Sequence, residues 1–394
     1  MNHKTTSQPA DQADLDTPSW REVFLYFLML GFVNIGGPVA QITMMYNHMV
    51  ERKRWLSNDR FIKIMSFCHM LPGPEALQLA IYVGYLKRRL PGGIVAGLTF
   101  IMPGAVAMVI LSWVYVTYGR LPQVGYVLYV LKPAVLGIIC AGIIKLGRAS
   151  ITSVFLAMLL VVAFAGMYFG RINFLLIMVA AGFLNFFFTE GWPHLRKQVG
   201  ILPIILGAFT ATLPFTSSRW VQMSWLFLKT GMFSFGGAYA SIIFLERGAV
   251  AEHGWLTAGQ LLDGVALSAA TPGPFMLFTT FVGYLAGGVA GAALATFLVF
   301  LPSFVFVLAG ARYFEQVSSN RFIQSFLAGA SAAVVGIIIV VSLNLAPEAL
   351  AGLPSILIAL MAFLLIVLLK VDVALVAVCA LATGVFYAVA RGLY

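Results

Sequence analysis

The sequence predicts an all-α polytopic membrane protein whose two homologous halves form inverted-topology repeats. Three observations predict it. Hydrophobic residues make up 61% of the 394 and charged residues 10%, with a mean hydropathy of +0.96. Too little polar surface remains to clothe a soluble domain of this size. Several apolar stretches reach the ~20 residues that carry a helix across a bilayer, whereas a β-barrel would show short alternating segments. Finally, one pattern of rigid residues occurs twice. Gly36-Gly37, Trp55, Pro72-Gly73-Pro74 and Gly84-Tyr85 return as Gly236-Gly237, Trp255, Pro272-Gly273-Pro274 and Gly283-Tyr284. The offset is 200, slips by one at the last landmark, and then holds at Pro103 and Pro302 and at Gly137 and Gly336.

Residues 1–20 are polar, with Pro9, Asp11, Asp14, Asp16 and Pro18, and have no apolar core or cleavage site. They predict a disordered cytoplasmic tail rather than a signal peptide. Residues 21–217 then form the first repeat with its connecting helices, and 218–394 the second. Membrane elements are expected at 22–50, 60–86, 92–116, 124–146, 151–169, 172–188 and 199–215, then at 221–250, 260–285, 287–310, 322–345, 354–369 and 373–390.

The element 60–86 is interrupted by Pro72-Gly73-Pro74, leaving two pieces of about 12 residues that each rise about 18 Å. Neither spans alone, so the element is a kinked helix or a hairpin that enters and leaves on one side. Charge favours the hairpin. Arg52, Lys53, Arg54, Arg60 and Lys63 stand before or at its start and Lys87, Arg88 and Arg89 after it, and the positive-inside rule puts both groups in the cytoplasm. The element 22–50 breaks at Gly36-Gly37-Pro38, where hairpin and kink both remain open. With two hairpins, an odd number of crossings precedes the second copy, which is therefore inverted. The loops agree: Glu252-His253-Gly254 replaces Arg52-Lys53-Arg54, and Ala286-Gly287 replaces Lys87-Arg88-Arg89.

Glycines and prolines interrupting apolar helices are the best sequence pointer to a transporter's binding site. Pro-Gly-Pro at membrane depth frees backbone carbonyls that lipid cannot satisfy, so the break must sit in protein or beside water. The helices restarting at Pro74 and Pro274 present N–H groups and a positive dipole end without a charged side chain, which suits a small anion. The expected substrate-binding set is therefore Asn34, Gly36, Gly37, Pro38, Gln41, Pro72, Gly73, Pro74, Glu75 and Gln78 in the first half. In the second it is Ser234, Gly236, Gly237, Thr271, Pro272, Gly273, Pro274 and Thr279. His69, Glu75 and Asp263 are the intramembrane titratable groups nearest these breaks and the candidates for proton coupling. Glu75 can equally cap the helix end, and His69 can be a packed core histidine. Lys132 either attracts an anion or snorkels to the surface. Arg52, Lys53 and Arg54 set topology and concentrate anions at the cytoplasmic mouth.

The net charge of +10 reads as basic cytoplasmic loops rather than as a nucleic-acid surface. Cys68, Cys140 and Cys379 have no metal-ligand spacing, and Walker, Rossmann and zinc-helix motifs are missing from the sequence. No metal, cofactor or enzymatic reaction is expected. His69 and Glu75 supply neither a nucleophile nor a metal constellation.

The chain resembles the chromate ion transporter family through Gly36-Gly37-Pro38-Val39-Ala40, Val50-Glu51-Arg52-Lys53-Arg54-Trp55-Leu56 and Leu71-Pro72-Gly73-Pro74 with Gln78. Gly84-Tyr85, Leu90-Pro91-Gly92-Gly93 and Pro103-Gly104 continue the match. In the second half it runs through Ser234-Phe235-Gly236-Gly237, Asp263, Thr271-Pro272-Gly273-Pro274 and Thr279-Thr280-Phe281-Val282-Gly283-Tyr284. The resemblance implies a long-chain, two-domain member of a prokaryotic plasma membrane, N-terminus cytoplasmic, that exports chromate and confers chromate resistance. Sulfate or another oxyanion is the alternative substrate. The implied partners are a chromate- or sulfate-like small anion and the lipid bilayer, without nucleic acid; a homodimer is left open. Three positions depart from the family pattern beside the proposed site: Asn34-Ile35, His69 and Ala269-Ala270.

Overall fold

The computed structural model of the chain describes residues 18–33, 38–119, 121–190, 218–235, 238–311 and 320–392. The tail over 1–17, Asn34 with Gly36-Gly37, Gly236-Gly237 and the expected crossing at 199–215 lie outside the described residues. Among the described residues the regular structure is helical throughout, in two series of seven α-helices. The first series is α1 (Trp20–Val33), α2 (Pro38–Tyr46), α3 (Asn58–Met70), α4 (Glu75–Tyr118), α5 (Pro122–Ser150), α6 (Val154–Tyr168) and α7 (Phe174–Glu190). The second is α8 (Arg219–Phe233), α9 (Ala240–Leu245), α10 (Ala258–Ala269), α11 (Phe278–Gly310), α12 (Arg321–Ala349), α13 (Leu353–Val367) and α14 (Val373–Gly392). Each helix of the first series has its counterpart seven places later. Among the described residues five spans are long and apolar enough to cross a membrane: Glu75–Tyr118, Pro122–Ser150, Phe275–Gly310, Arg321–Ala349 and Val373–Arg391. Val161 and Val162 of α6, Phe169 just after it and Phe386 of α14 are exposed, a surface suited to lipid.

The broken elements fold as hairpins. After α2 the helix widens into a π-type turn over Asn47–Arg52, and the reversal between α1 and α2 brings the Tyr26 and His48 rings face to face at 3.9 Å. One straight helix would hold those residues about 33 Å apart. In the second repeat a Cβ on Gly248 would lie 2.4 Å from Leu226, the same closure. Helix α3 opens on Ser57, which accepts from the Arg60 N–H, and α10 on the capping box of Thr257 and Gln260. At the other end of the first of these helices, Phe67 and Tyr82 meet edge to face at 5.8 Å across Pro72-Gly73-Pro74. In the second repeat, Gly264 lies against Phe281.

Helix α4 then doubles back at Arg88-Arg89 and α11 at Gly287-Gly288, with Arg89 at φ 54° and Gly288 at φ 63°. The reversal needs a left-handed residue; glycine supplies it freely in one repeat, and an arginine is held there in the other. A Cβ on Gly84 would come within 2.4 Å of the Gly92 carbonyl oxygen, and one on Gly283 within 2.4 Å of the Gly291 oxygen. The two limbs of each helix thus touch backbone to backbone.

The second limbs of α4 and α11 cross each other antiparallel. Gly93 lies against Leu308 and Gly97 against Phe304, so one number rises as the other falls. Equivalent helices that run antiparallel are related by an axis perpendicular to both. For membrane-crossing helices that axis lies in the membrane plane, which makes the repeats inverted.

The repeats also exchange helices. Gly137 on α5 packs on α13 at Ala359, Ala362 and Phe363, while Gly336 on α12 packs on α6 at Leu160 and Phe164. Gly329 on α12 meets Ala181 of α7, and Gly384 on α14 meets Val127 of α5. The closing helices of each half therefore cover the long helix of the other.

Candidate functional site

The two Pro-Gly-Pro tips have the same backbone shape. Gly73 sits at φ 114° and Gly273 at φ 109°, values that side-chain-bearing residues rarely adopt, while the flanking prolines restrict their own φ. Leu71 and Pro74 are extended, and the α4 N-terminus beginning at Glu75 has no side-chain cap. At the second tip Pro274 leads into one 3₁₀ turn, Phe275–Leu277, before α11.

Each tip rests on the opposite repeat. The Gly73 N–H donates to the Ser234 carbonyl at 3.1 Å, and a Cβ on Gly73 would lie 2.7 Å from Ser303 Oγ on α11. Reciprocally, Gln41 Nε2 donates to the Gly273 carbonyl at 3.4 Å, and Gly104 on α4 packs against Pro272 and Gly273. Ser303 and Gly104 follow the duplicated Pro302 and Pro103, so they occupy equivalent positions. Both tips thus meet the α4–α11 crossing, the junction between the repeats.

The structure gathers much of the predicted set there. Gln78 is fully buried, and its Nε2 donates to the Pro72 carbonyl at 2.6 Å. Thr271 donates to the Leu267 carbonyl, Thr279 to that of Met276 and Ser268 to that of Phe275. These hydroxyls hold the second tip's own backbone. Pro38 opens α2. His69 and Glu75, six apart in sequence, are brought together by the turn, Nδ1 to Oε2 at 2.9 Å.

Other predicted residues stand apart. Asp263 lies two turns before the end of α10, with Oδ1 3.3 Å from Lys132 Nζ, and Tyr115 OH donates to Oδ2 at 2.8 Å. Glu348 joins that group over Gly259, where a Cβ would meet Glu348 Oε2 at 2.8 Å and Lys132 Nζ at 3.3 Å. Arg52, Lys53 and Arg54 are exposed at the base of the first hairpins, where Lys53 pairs with Glu22 at 3.3 Å. Arg88 shares this end, donating to the Pro18 carbonyl from Nε at 3.0 Å and from Nη2 at 2.6 Å.

Two residues at the tips escaped the sequence reading. Ser303 and Gly104 touch them directly, and the available signal was their place one step after a repeated proline. Ser303 Oγ and Gln78 Oε1 are both buried without a hydrogen-bond partner. Buried polar atoms of this kind call for an unseen partner such as water or ligand. The arrangement supplies helix-terminal N–H groups, a hydroxyl and a carboxamide at one buried junction, a chemistry fitted to an oxyanion.

Comparison with known proteins gives the same direction. A family model described as chromate transporter matches residues 21–186 and again 221–385. The chain is 35% identical over 350 residues to a chromate transport protein of Pseudomonas aeruginosa, covering 86% of this chain and 83% of that one. It is 33% identical over 366 residues to a chromate transport protein of Cupriavidus metallidurans, covering 90% and 89%. A probable chromate transport protein of Synechococcus elongatus is 32% identical over 353 residues, covering 88% and 89%. No solved structure matches the chain.

Proposed function

The chain belongs to the chromate transporter family, and from that premise we propose that it is a secondary transporter that expels chromate from the cytoplasm and so confers chromate resistance. The observation that carries the reading is the reciprocal seating of two Pro-Gly-Pro tips on the α4–α11 crossing. An anion held there would touch both repeats. Relative movement of the repeats would then expose it to one side and then the other.

The proposed location is a prokaryotic plasma membrane with the N-terminus cytoplasmic. Support comes from Arg52, Lys53, Arg54 and Arg88, which cluster with Pro18 at one end of the molecule. With no nucleotide-binding motif in the sequence, the energy for uphill transport comes from an ion gradient or a partner chain, and we infer the ion gradient. The His69–Glu75 pair beside the first tip is the proton-coupling candidate on the protein side. Transport rather than catalysis is the activity.

The test is chromate flux in proteoliposomes holding the purified protein, with and without a pH gradient and with sulfate as competitor. Saturable chromate flux that responds to the gradient is expected. Flux carried by sulfate in preference would favour the second reading, a sulfate or other oxyanion carrier; Asn34-Ile35, His69 and Ala269-Ala270, where the chain leaves the family pattern, motivate it.

A further inference from the structure

We propose that the substrate is bound as a singly protonated oxyanion, at the first Pro-Gly-Pro tip alone, between the hydroxyl of Ser303 and the carboxamide oxygen of Gln78. This rests on the oxyanion-transport reading and adds the protonation state and the residues that read it.

The two tips share a backbone but not a chemistry. At the first, Ser303 and Gln78 are both 0% exposed, and Ser303 Oγ and Gln78 Oε1 both lack partners. They flank the same glycine: a Cβ on Gly73 would lie 2.7 Å from Ser303 Oγ and 3.1 Å from Gln78 Nε2. The uncapped start of α4 lies in the same turn. At the second tip, Gly104 stands in place of Ser303, Leu277 or Phe278 in place of Gln78, and Phe275 in place of Glu75. Among the described residues no orphaned polar atom lies at that second tip. The hydroxyls there and the Gln41 carboxamide are spent on backbone carbonyls.

The first tip's two orphans differ in kind. A serine hydroxyl can donate to an anion oxygen. A carboxamide oxygen only accepts, and one of the two N–H donors beside it is engaged with the Pro72 carbonyl. A bare dianion satisfies the hydroxyl and the helix end but sets its charge against the carboxamide oxygen. An oxyanion with one O–H satisfies all three, and a site built around a ligand's O–H discriminates strongly against an analogue lacking it. Hydrogen chromate is a weak acid, and a substantial part of the ion still carries its proton near neutral pH. Hydrogen sulfate and hydrogen selenate are strong acids, fully ionised there. The donor–acceptor pair thus separates chromate from sulfate, two tetrahedral ions of similar size, by their protons. A proton then travels with each substrate ion.

The charged groups around this tip are few. His69 on α3 and Glu75 on α4 pair with each other, Lys145 on α5 acts electrostatically on His69, α11 has none in Phe278–Gly310, and Lys229 on α8 lies over the Trp225 ring at 5.3 Å.

The experiment measures inhibition of chromate flux by selenate, sulfate and arsenate in proteoliposomes, across the pH range in which chromate loses its second proton. Arsenate keeps an O–H there; selenate and sulfate do not. We expect uptake at fixed total chromate to fall with pH in step with hydrogen chromate, and arsenate to compete about tenfold or more better than selenate, the scale of one charged hydrogen bond. Ser303→Ala should weaken chromate and arsenate alike, and Gln78→Met should abolish the arsenate–selenate difference. Equal competition by selenate and arsenate in the wild type overturns the proposal, whether or not Gln78→Met folds, and means that water fills the site. Absence of chromate flux at every pH sinks the transport reading itself.

Discussion

Lys132 of the first repeat and Asp263 of the second meet at 3.3 Å, binding two halves that otherwise touch mainly through apolar side chains. Tyr115 holds the second carboxylate oxygen at 2.8 Å, and the Asp263 side chain is 3% exposed. Lys132 therefore answers a carboxylate instead of standing free for an anion. Removing Lys132 leaves the buried Asp263 carboxylate without its cation, which costs about 3–5 kcal/mol, while removing both is far milder. Removing Asp263 still leaves Glu348 beside Lys132. Lys132→Gln should therefore lower the melting temperature of the protein in detergent sharply, Asp263→Asn less so, and the double variant should recover most of the Lys132→Gln loss. Equal losses for single and double variants would mean that the pair contributes little.

The tip glycines should tolerate no side chain, for different reasons. Gly73→Ala meets the Ser303 hydroxyl at 2.7 Å, and Gly273→Ala meets the flexible end of Leu277 at 2.7 Å. Both also force a residue with a Cβ into the positive-φ region at about 1–3 kcal/mol. Gly104→Val drives into the Pro272 carbonyl, 2.3 Å away, and backbone cannot step aside. All three variants should reach the membrane folded and lose chromate flux. Near-normal flux by Gly73→Ala together with Gly273→Ala would remove the tips from the transport path.

Much of this arrangement was legible in the sequence because rigid residues mark backbone geometry wherever they fall. Pro72-Gly73-Pro74, Gly36-Gly37-Pro38 and the basic loops announced the breaks and, for the first of these, a hairpin with a common end, while hairpin and kink stayed open at Gly36-Gly37-Pro38. Partners across the repeat interface were not legible. Gly137 and Gly336 were visible as repeated landmarks, yet α6 and α13 are apolar on every side and carry no mark of which long helix each covers. Ser303 reads as one serine in an apolar run until folding sets it against Gly73. Asp263 has Lys63 as its counterpart and Lys132 has Ser331, so the repeat itself hid their pairing.

Exchange of closing helices predicts mutual dependence of the halves. The first repeat alone leaves α5 without α13 and α14, and leaves α6 and α7 without α12. Residues 1–217 and 218–394 expressed as separate chains should each be degraded when alone and accumulate when produced together, with recovery of chromate flux. Stable accumulation of either half alone would show that the exchanged contacts are dispensable, and would favour treating 21–217 and 218–394 as independently folding units. Within the intact chain, Gly137→Val should clash with the Ala359 carbonyl at 2.3 Å and Gly336→Val with that of Leu160 at 2.4 Å. Similar destabilisation is expected from both, since they are equivalent positions.

The inverted arrangement makes a prediction about sides of the membrane. The turns at Arg88-Arg89 and Gly287-Gly288 are equivalent in fold, with φ of 54° at Arg89 and 63° at Gly288, but one is basic and the other uncharged. Lys87, Arg88 and Arg89 stand at one, Ala286, Gly287 and Gly288 at the other. Antiparallel crossing of α4 and α11 sends them to opposite faces, and the positive-inside rule places the arginine turn in the cytoplasm. Cys68 is buried, Cys140 half-buried and Cys379 exposed, so labelling starts from a variant with all three replaced by serine. A single cysteine at Lys87 should react with an impermeant maleimide only after the cells are opened, and one at Ala286 should react from outside. Ala286 is itself buried, so a second cysteine at the exposed Val289 separates poor access from wrong topology. Reaction of Lys87→Cys and Val289→Cys from the same side would overturn the inverted repeat, leaving the duplication in place with an axis along the membrane normal.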